Sequence, residues 1–185
     1  KILTYMSENR AIKPVILDAD GLNLLASSGR LSELVKIYTA QGGIVIMTPH
    51  MAEFARLLHC SVPELQRERM EKAEGYCRET GAILISKDAA TLVGFHDSTD
   101  RFCYYVNQTG NAGMATAGSG DVLSGITGAL AAYTVVNQRE GGEGNDRRAA
   151  YFQAVGRAVY LHGRAGDMAA EKYGEVSMKA GDIIM

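Results

Sequence analysis

Apolar residues in this chain fall into short unbroken runs, separated by stretches in which they return every third or fourth position. Residues 14–18 (PVILD), 44–47 (IVIM) and 82–86 (AILIS) are too short for buried helices and rich in branched side chains, so each predicts a strand covered on both faces. Between the first two runs, Leu31, Leu34, Val35 and Tyr38 recur at helical spacing, and Gly42 and Gly43 supply the stop. Residues 51–59 (MAEFARLLH) predict a short helix, and Ser61 with Glu64 predicts a capping box that opens a longer helix through Arg78. Strands alternating with helices predict a parallel sheet with helices packed on its faces.

Further along, residues 90–95 and 102–106 read as two strands joined by HDSTDR, an antiparallel hairpin added to that sheet, with Tyr104 and Tyr105 alternating between its faces. The segment NQTGNAGMATAGSG is crowded with glycine, and a helical pattern starts at Asp121 with Val122, Leu123, Ile126, Leu130 and Tyr133. GGEGND at 141–146 predicts an exposed loop. Ala150, Ala154, Ala158 and Leu161 then mark a helix with a small-residue face, and the closing stretch predicts helix, turn and a short apolar tail.

Composition narrows the function classes. The chain has 185 residues, 46% of them hydrophobic, and a formal net charge of −2. That size fits one domain, and the charge balance with no basic run argues against nucleic acid. No apolar stretch approaches the roughly 20 residues of a membrane-spanning helix. Cys60, Cys77 and Cys103 form no CxxC pair and have no metal-ligand spacing, which predicts a reduced compartment. KILTYMSENR lacks an apolar signal core and reads as an internal cut.

The candidate chemistry lies where strands end and glycines gather. AGSGDVLSGITGAL at 117–130 is a glycine loop opening into a helix, an arrangement that can hold a phosphate on backbone N–H groups and the positive end of the helix dipole; a plain tight turn is the alternative. Asp121 in the first turn is either a helix cap or a base taking a proton from a hydroxyl that attacks phosphorus. Gly125 and Gly128 predict close helix packing. Polar groups also stand past the predicted strand ends, where open α/β sheets bind ligands: Asp18, Asp20 and Asn23, then His50, then Lys87. His50 suits either a helix cap or a donor to a polar substrate. Lys87 is either a solvated loop lysine or a point charge for nucleotide phosphate. Asp18 and Asp20 could hold Mg²⁺ through water, although Asp20-Gly21 is also turn chemistry. No residue is assigned as a direct metal ligand, and His59, His96 and His162 read as structural or surface residues.

Four segments carry a resemblance: VILDADGLNLLA at 15–26, IMTPHMAEFARLL at 46–58, ILISKDAATLVG at 83–94 and NQTGNAGMATAGSGDVLSGITGALAA at 107–132. Together they resemble the NAD(P)H-hydrate dehydratase family of the ribokinase-like superfamily. The resemblance implies a three-layer α/β/α fold with a mostly parallel sheet. It also implies that residues 1–185 form a single partial domain whose amino-terminal part is missing. The activity it implies is ADP- or ATP-dependent dehydration of NADHX or NADPHX, with Mg²⁺, by phosphorylation of the ring hydroxyl and elimination of phosphate.

Carried over by position, the resemblance makes Asp121 the base and a substrate contact, with His50, Asp20 and Asn23 also at the substrate. It places Lys87, Asp88, Ala89, Ala90 and Thr91, and Ala117, Gly118, Ser119 and Gly120, around the nucleotide. A cytoplasmic homo-oligomer, fused to or paired with an epimerase domain, is the setting it implies. Asp88 stands where the family more often has glycine, and a carboxylate there opposes a phosphate. Two other readings share the glycine loop: a kinase of a vitamin-precursor alcohol, and a catalytically silent nucleotide-binding subunit.

Overall fold

A computed structural model describes residue 5, residues 13–138 and residues 147–184. In chain order the elements are β1 (Pro14–Leu17), α1 (Asp20–Ala26), α2 (Gly29–Ala40), β2 (Ile44–Met47), α3 (Met51–Leu57), α4 (Val62–Arg67), α5 (Arg69–Thr80), β3 (Ile83–Ser86), β4 (Leu92–His96) and β5 (Phe102–Val106). A 3₁₀ turn (Ala112–Met114), α6 (Ser119–Gln138), α7 (Arg147–Tyr173) and a second 3₁₀ turn (Ala180–Ile183) follow. The loop predicted at 141–146 lies outside the described residues.

The strands form one five-stranded sheet in sequence order. β1, β2 and β3 run parallel, so their carboxyl ends lie side by side, whereas β4 and β5 each run antiparallel to the preceding strand.

Pleat alternation divides the apolar runs between two cores. Val45, Met47, Leu84 and Leu92 face one side and pack with Leu22, Val35, Tyr38, Phe54 and Leu65 from the helices between strands. Ile44, Ile46, Ile83, Ile85, Val93 and Phe95 face the other and pack with Leu123, Tyr151, Val155 and Val159 of α6 and α7. The result is three layers, helices on both faces of a mixed sheet. Each fully buried Ile, Leu or Val contributes about 1.5–3 kcal/mol of burial, which is why continuous apolar runs specify the middle layer. Gly43 immediately precedes β2, and a β-carbon there would stand inside the Tyr38 ring, so glycine lets α2 close tightly onto the sheet.

The structure departs from the sequence expectations at several points. β1 is only partly buried along its length, because it is an edge strand of the described sheet. Residues 20–26 form a helix that the apolar pattern left unassigned. The long helix expected through Arg78 is two helices, because Glu68 leaves helical geometry at φ −117°, ψ 23°. Ser61 accepts the N–H of Glu64 at 3.3 Å, while a complete capping box is found at His50 and Glu53. Gly128 meets Ile16 of β1, as close packing requires, but Gly125 faces open space. Ala154 and Ala158 are buried in α7, whereas Leu161 is 49% exposed and belongs to the outer face.

Candidate active site

Beyond the parallel strands the backbone remains stitched together. The N–H of Thr48 donates to Leu17 O at 3.1 Å, that of Lys87 donates to Pro49 O at 2.8 Å, and His50 pairs with Lys87 in a one-residue parallel bridge. Asp18, His50 and Lys87 thus stand on one end of the sheet. Lys87 Nζ donates to Asp18 Oδ1 at 3.1 Å, and Ser124 Oγ of α6 donates to Asp18 Oδ2 at 2.7 Å. The Ala19 N–H adds a third bond at 3.0 Å, made possible by a turn that places Ala19 at φ 46°, ψ −114°, a strained conformation for a residue with a β-carbon. Partial burial works to raise the Asp18 pKa, but the hydroxyls of Ser124 and Thr48 and the charge of Lys87 more than offset it, leaving the carboxyl below its ordinary value.

The glycine-rich segment is anchored by amides and a carboxylate. Buried Asn107 accepts from the Tyr105 hydroxyl at 2.9 Å and donates to Thr109 O at 2.8 Å. Asp167 of α7 accepts the Gly110 N–H at 3.1 Å and the Asn111 amide at 3.3 Å. The chain enters α6 through Gly118 at φ +89°, with Ala180 packed against the turn, and exposed Ala117 lies just before it. A β-carbon on Gly120 would lie 3.5 Å from Lys87 Nζ, so the lysine charge stands beside the first turn of α6. Asp121, the acid of that turn, is exposed, and no hydrogen bond or ion pair engages it among the described residues. The cap reading of Asp121 therefore has no bond behind it.

Ser119 is buried, and its hydroxyl lies 3.3 Å from His162 Nε2 of α7. His162, read from sequence as structural or surface, is thus a wall of the loop. Burial holds its pKa below the ordinary histidine value, and the nearby Lys87 charge acts in the same direction.

The stretch after β3 is gripped by Arg69, a residue the sequence reading did not single out. Its guanidinium donates to Ser86 O at 2.6 Å, Ser86 Oγ at 3.2 Å and Ala90 O at 2.9 Å, and approaches Asp88 Oδ2 at 3.4 Å. Asp88 also accepts the Ala89 N–H at 2.9 Å, and Thr91 Oγ1 donates to Asp88 O at 3.2 Å. The carboxylate that stands where the family more often has glycine is therefore paired with Arg69.

His50 caps α3. Its Nδ1 accepts the N–H groups of Ala52 at 3.1 Å and Glu53 at 3.4 Å, and the His50 backbone N–H donates to Glu53 Oε2 at 2.9 Å. With Nδ1 accepting, the neutral ring carries its proton on Nε2, which lies on the half-exposed side, 3.4 Å from Glu53 Oε1. Cap and donor are thus compatible in one side chain. Asn23 Oδ1 accepts from the Arg56 guanidinium of α3, while Asp20 is exposed at the start of α1.

The remaining candidates lie elsewhere. His96 is buried against Phe102, and burial pushes the Cys77 thiol up to about 12, which makes it unreactive. Among the described residues no three acidic, His or Cys side chains converge on a metal position. Both Asp18 oxygens already accept hydrogen bonds, which leaves little room there for the Mg²⁺ contact read from sequence, while Asp20 is exposed. No described helix is long and apolar enough to cross a membrane.

Three layers with a glycine loop and helix start beside a strand-end lysine make up a ribokinase-like fold, and the similarities found agree. An Enterococcus faecalis ribokinase-like superfamily protein has the same fold, with a TM-score of 0.56 at 21% identity, covering 93% of this chain and 60% of that one. The chain belongs to the NAD(P)H-hydrate dehydratase family, whose profile it matches over residues 2–185. It is 40% identical over 171 residues to the bifunctional NAD(P)H-hydrate repair enzyme Nnr of Moorella thermoacetica, which covers 92% of this chain and 28% of that protein. The ADP/ATP-dependent NAD(P)H-hydrate dehydratase of Bacillus subtilis, co-crystallized with ATP/Mg²⁺, is similar with a TM-score of 0.60 at 27% identity, covering 76% of this chain and 44% of that one. The chain thus spans less than half the length of either enzyme.

Proposed function

We propose that the protein containing this chain uses ADP or ATP to dehydrate NADHX or NADPHX and restore NADH or NADPH. The observation that carries this reading is the placement of the Lys87 ammonium, tied to Asp18, beside Gly120 at the start of α6, with Asp121, unengaged among the described residues, the next residue. Family membership supplies the substrate class.

In this reading the N–H groups of Ala117, Gly118 and Gly120 and the Lys87 charge hold the terminal phosphate, with Ser119, whose own N–H donates to Thr116 O at 3.2 Å, shaping the turn. Thr91 and the Asp88–Ala90 backbone line the rest of the nucleotide. Asp121 accepts the proton of the ring hydroxyl as that oxygen forms its bond to phosphorus and the bond to the nucleotide leaving group breaks. The ester then loses phosphate, and a ring proton with it, to regenerate the reduced ring. An ordinary aspartate is a weak base, so alignment and a preorganised anion site supply much of the rate. His50 Nε2–H, Asp20 and Asn23 are assigned to the hydrated substrate. Mg²⁺, when bound with the nucleotide, would neutralise phosphate charge.

We further propose that the chain is part of one ribokinase-like domain of a cytoplasmic homo-oligomer that works with an epimerase. Three free thiols, exposed Tyr104 and Val106 on edge strand β5, and the bifunctional name of the Moorella relative support that setting.

The test is paired incubation of the full-length protein. Reduced-nicotinamide absorbance should return from NADHX only when ADP or ATP is present. Nucleotide consumption with a vitamin-precursor alcohol, and none with NADHX, moves the assignment to a kinase. Tight nucleotide binding with neither reaction makes the protein a silent subunit.

A further inference from the structure

We infer that Asp18 is a positioning residue for nucleotide binding: it aims the Lys87 ammonium at the start of α6 and locks both to the end of β1. The inference rests on the nucleotide reading above and gives a role to Asp18, which that reading names only as the partner of Lys87.

An ionised carboxylate has two oxygens and only accepts hydrogen bonds. Asp18 Oδ1 receives Lys87 Nζ at 3.1 Å and the Ala19 N–H at 3.0 Å; Oδ2 receives Ser124 Oγ at 2.7 Å. The Thr48 hydroxyl contributes as well. Donors thus arrive from the turn after β1, the end of β2, the loop after β3 and α6. These bonds leave the carboxylate little room to serve as a proton acceptor or metal ligand, and they explain how an acid can stand near a phosphate site without opposing it. Its charge is spent on Lys87, and its geometry fixes where that lysine points.

A long ammonium side chain with free rotamers must be ordered before it can hold a phosphate, at a cost in side-chain entropy. Asp18 meets that cost before nucleotide arrives. The Lys87 tip, 3.5 Å from the β-carbon position of Gly120, is near enough for a phosphate on the first turn of α6 to share it. Ser124, one turn into the same helix, keeps α6 and the lysine in register through a single carboxylate.

The test is a double-mutant cycle on the full-length protein, read as ADP affinity by calorimetry with folding checked by circular dichroism. Asp18→Asn keeps the shape and removes the charge. It should weaken ADP binding about tenfold and raise the KM for nucleotide more than it lowers kcat. In a Lys87→Met background the same change should leave affinity unaltered, because Asp18 acts through that lysine. Wild-type affinity in Asp18→Asn, or losses that multiply across the cycle, would overturn the inference. If Asp18→Asn does not fold, Ser124→Ala carries the test: about threefold weaker binding with Lys87 present and no change without it, equal effects in both backgrounds overturning the inference. Absence of ADP and ATP binding in the wild type removes the nucleotide reading itself and this inference with it, a result distinct from wild-type binding with no coupling.

Discussion

Asp18 and Asp121 lie at the same end of the sheet, yet their surroundings are opposite. Asp18 is half-buried, and both its oxygens receive donors from other parts of the fold. Asp121, one residue past the glycine beside Lys87, is exposed and engages nothing among the described residues. A carboxylate with all its bonds made holds structure. One left free in the positive field of a helix start can accept a bond from whatever docks there. The contrast separates scaffold from chemistry before any ligand is considered.

The largest test of that contrast is Asp121→Asn. Turnover of NADHX should fall about 10³-fold, in the range expected for loss of a general base, with ADP affinity retained and the melting temperature shifted by less than about 2 °C. A large loss of stability would make Asp121 a structural residue like Asp18 and erase the distinction. On the scaffold side, Arg69→Ala removes the bonds that hold residues 86–90 and leaves Asp88 without its cation in the loop assigned to nucleotide. Chemical denaturation should show a loss of about 2 kcal/mol, and ADP binding should weaken. Unchanged stability would mean that the loop keeps its shape without the guanidinium.

The smallest effect concerns acid. His162 and Asp18 both have folded-state pKa values below their ordinary 6.5 and 3.8. Protonation therefore favours the unfolded chain at each site, and the contribution of each is intact above its ordinary value and lost as pH falls through the folded one. Melting temperature should decline in two steps, beginning below about 6.5 and again below about 3.8, and His162→Gln should remove the first step alone. Persistence of that first step in the variant would assign it to another group.

What the chain reveals on its own follows from how far apart the partners are. All five strands are legible because each is a local apolar run, and the glycine loop announces α6 within a few residues. The break at Glu68 is not legible, since neither glycine nor proline marks it. The short helix at 20–26 is hidden for a related reason: seven residues are too few to show a period. At the site, Asp18, His50, Lys87 and Asp121 stand out because they follow strands or glycines. Arg69 and His162 do not, because their contacts are with residues 17 and 43 positions away. A tertiary hydrogen bond between such residues leaves no spacing to read. The His50 cap is legible as one of two readings, but its completion as a capping box with Glu53 is not, because imidazole replaces the usual Ser or Thr hydroxyl.

The backbone bond from Lys87 to Pro49 and the bridge from Lys87 to His50 join the loop assigned to nucleotide to the loop assigned to the nicotinamide substrate. Neither loop can swing outward without breaking a bond to the other. On that assignment the two ligands would meet walls that are mechanically one piece, and ordering one wall on the first arrival would leave less to be ordered for the second. Cooperation between unlike ligands can in this way be built into a single hydrogen bond of the main chain.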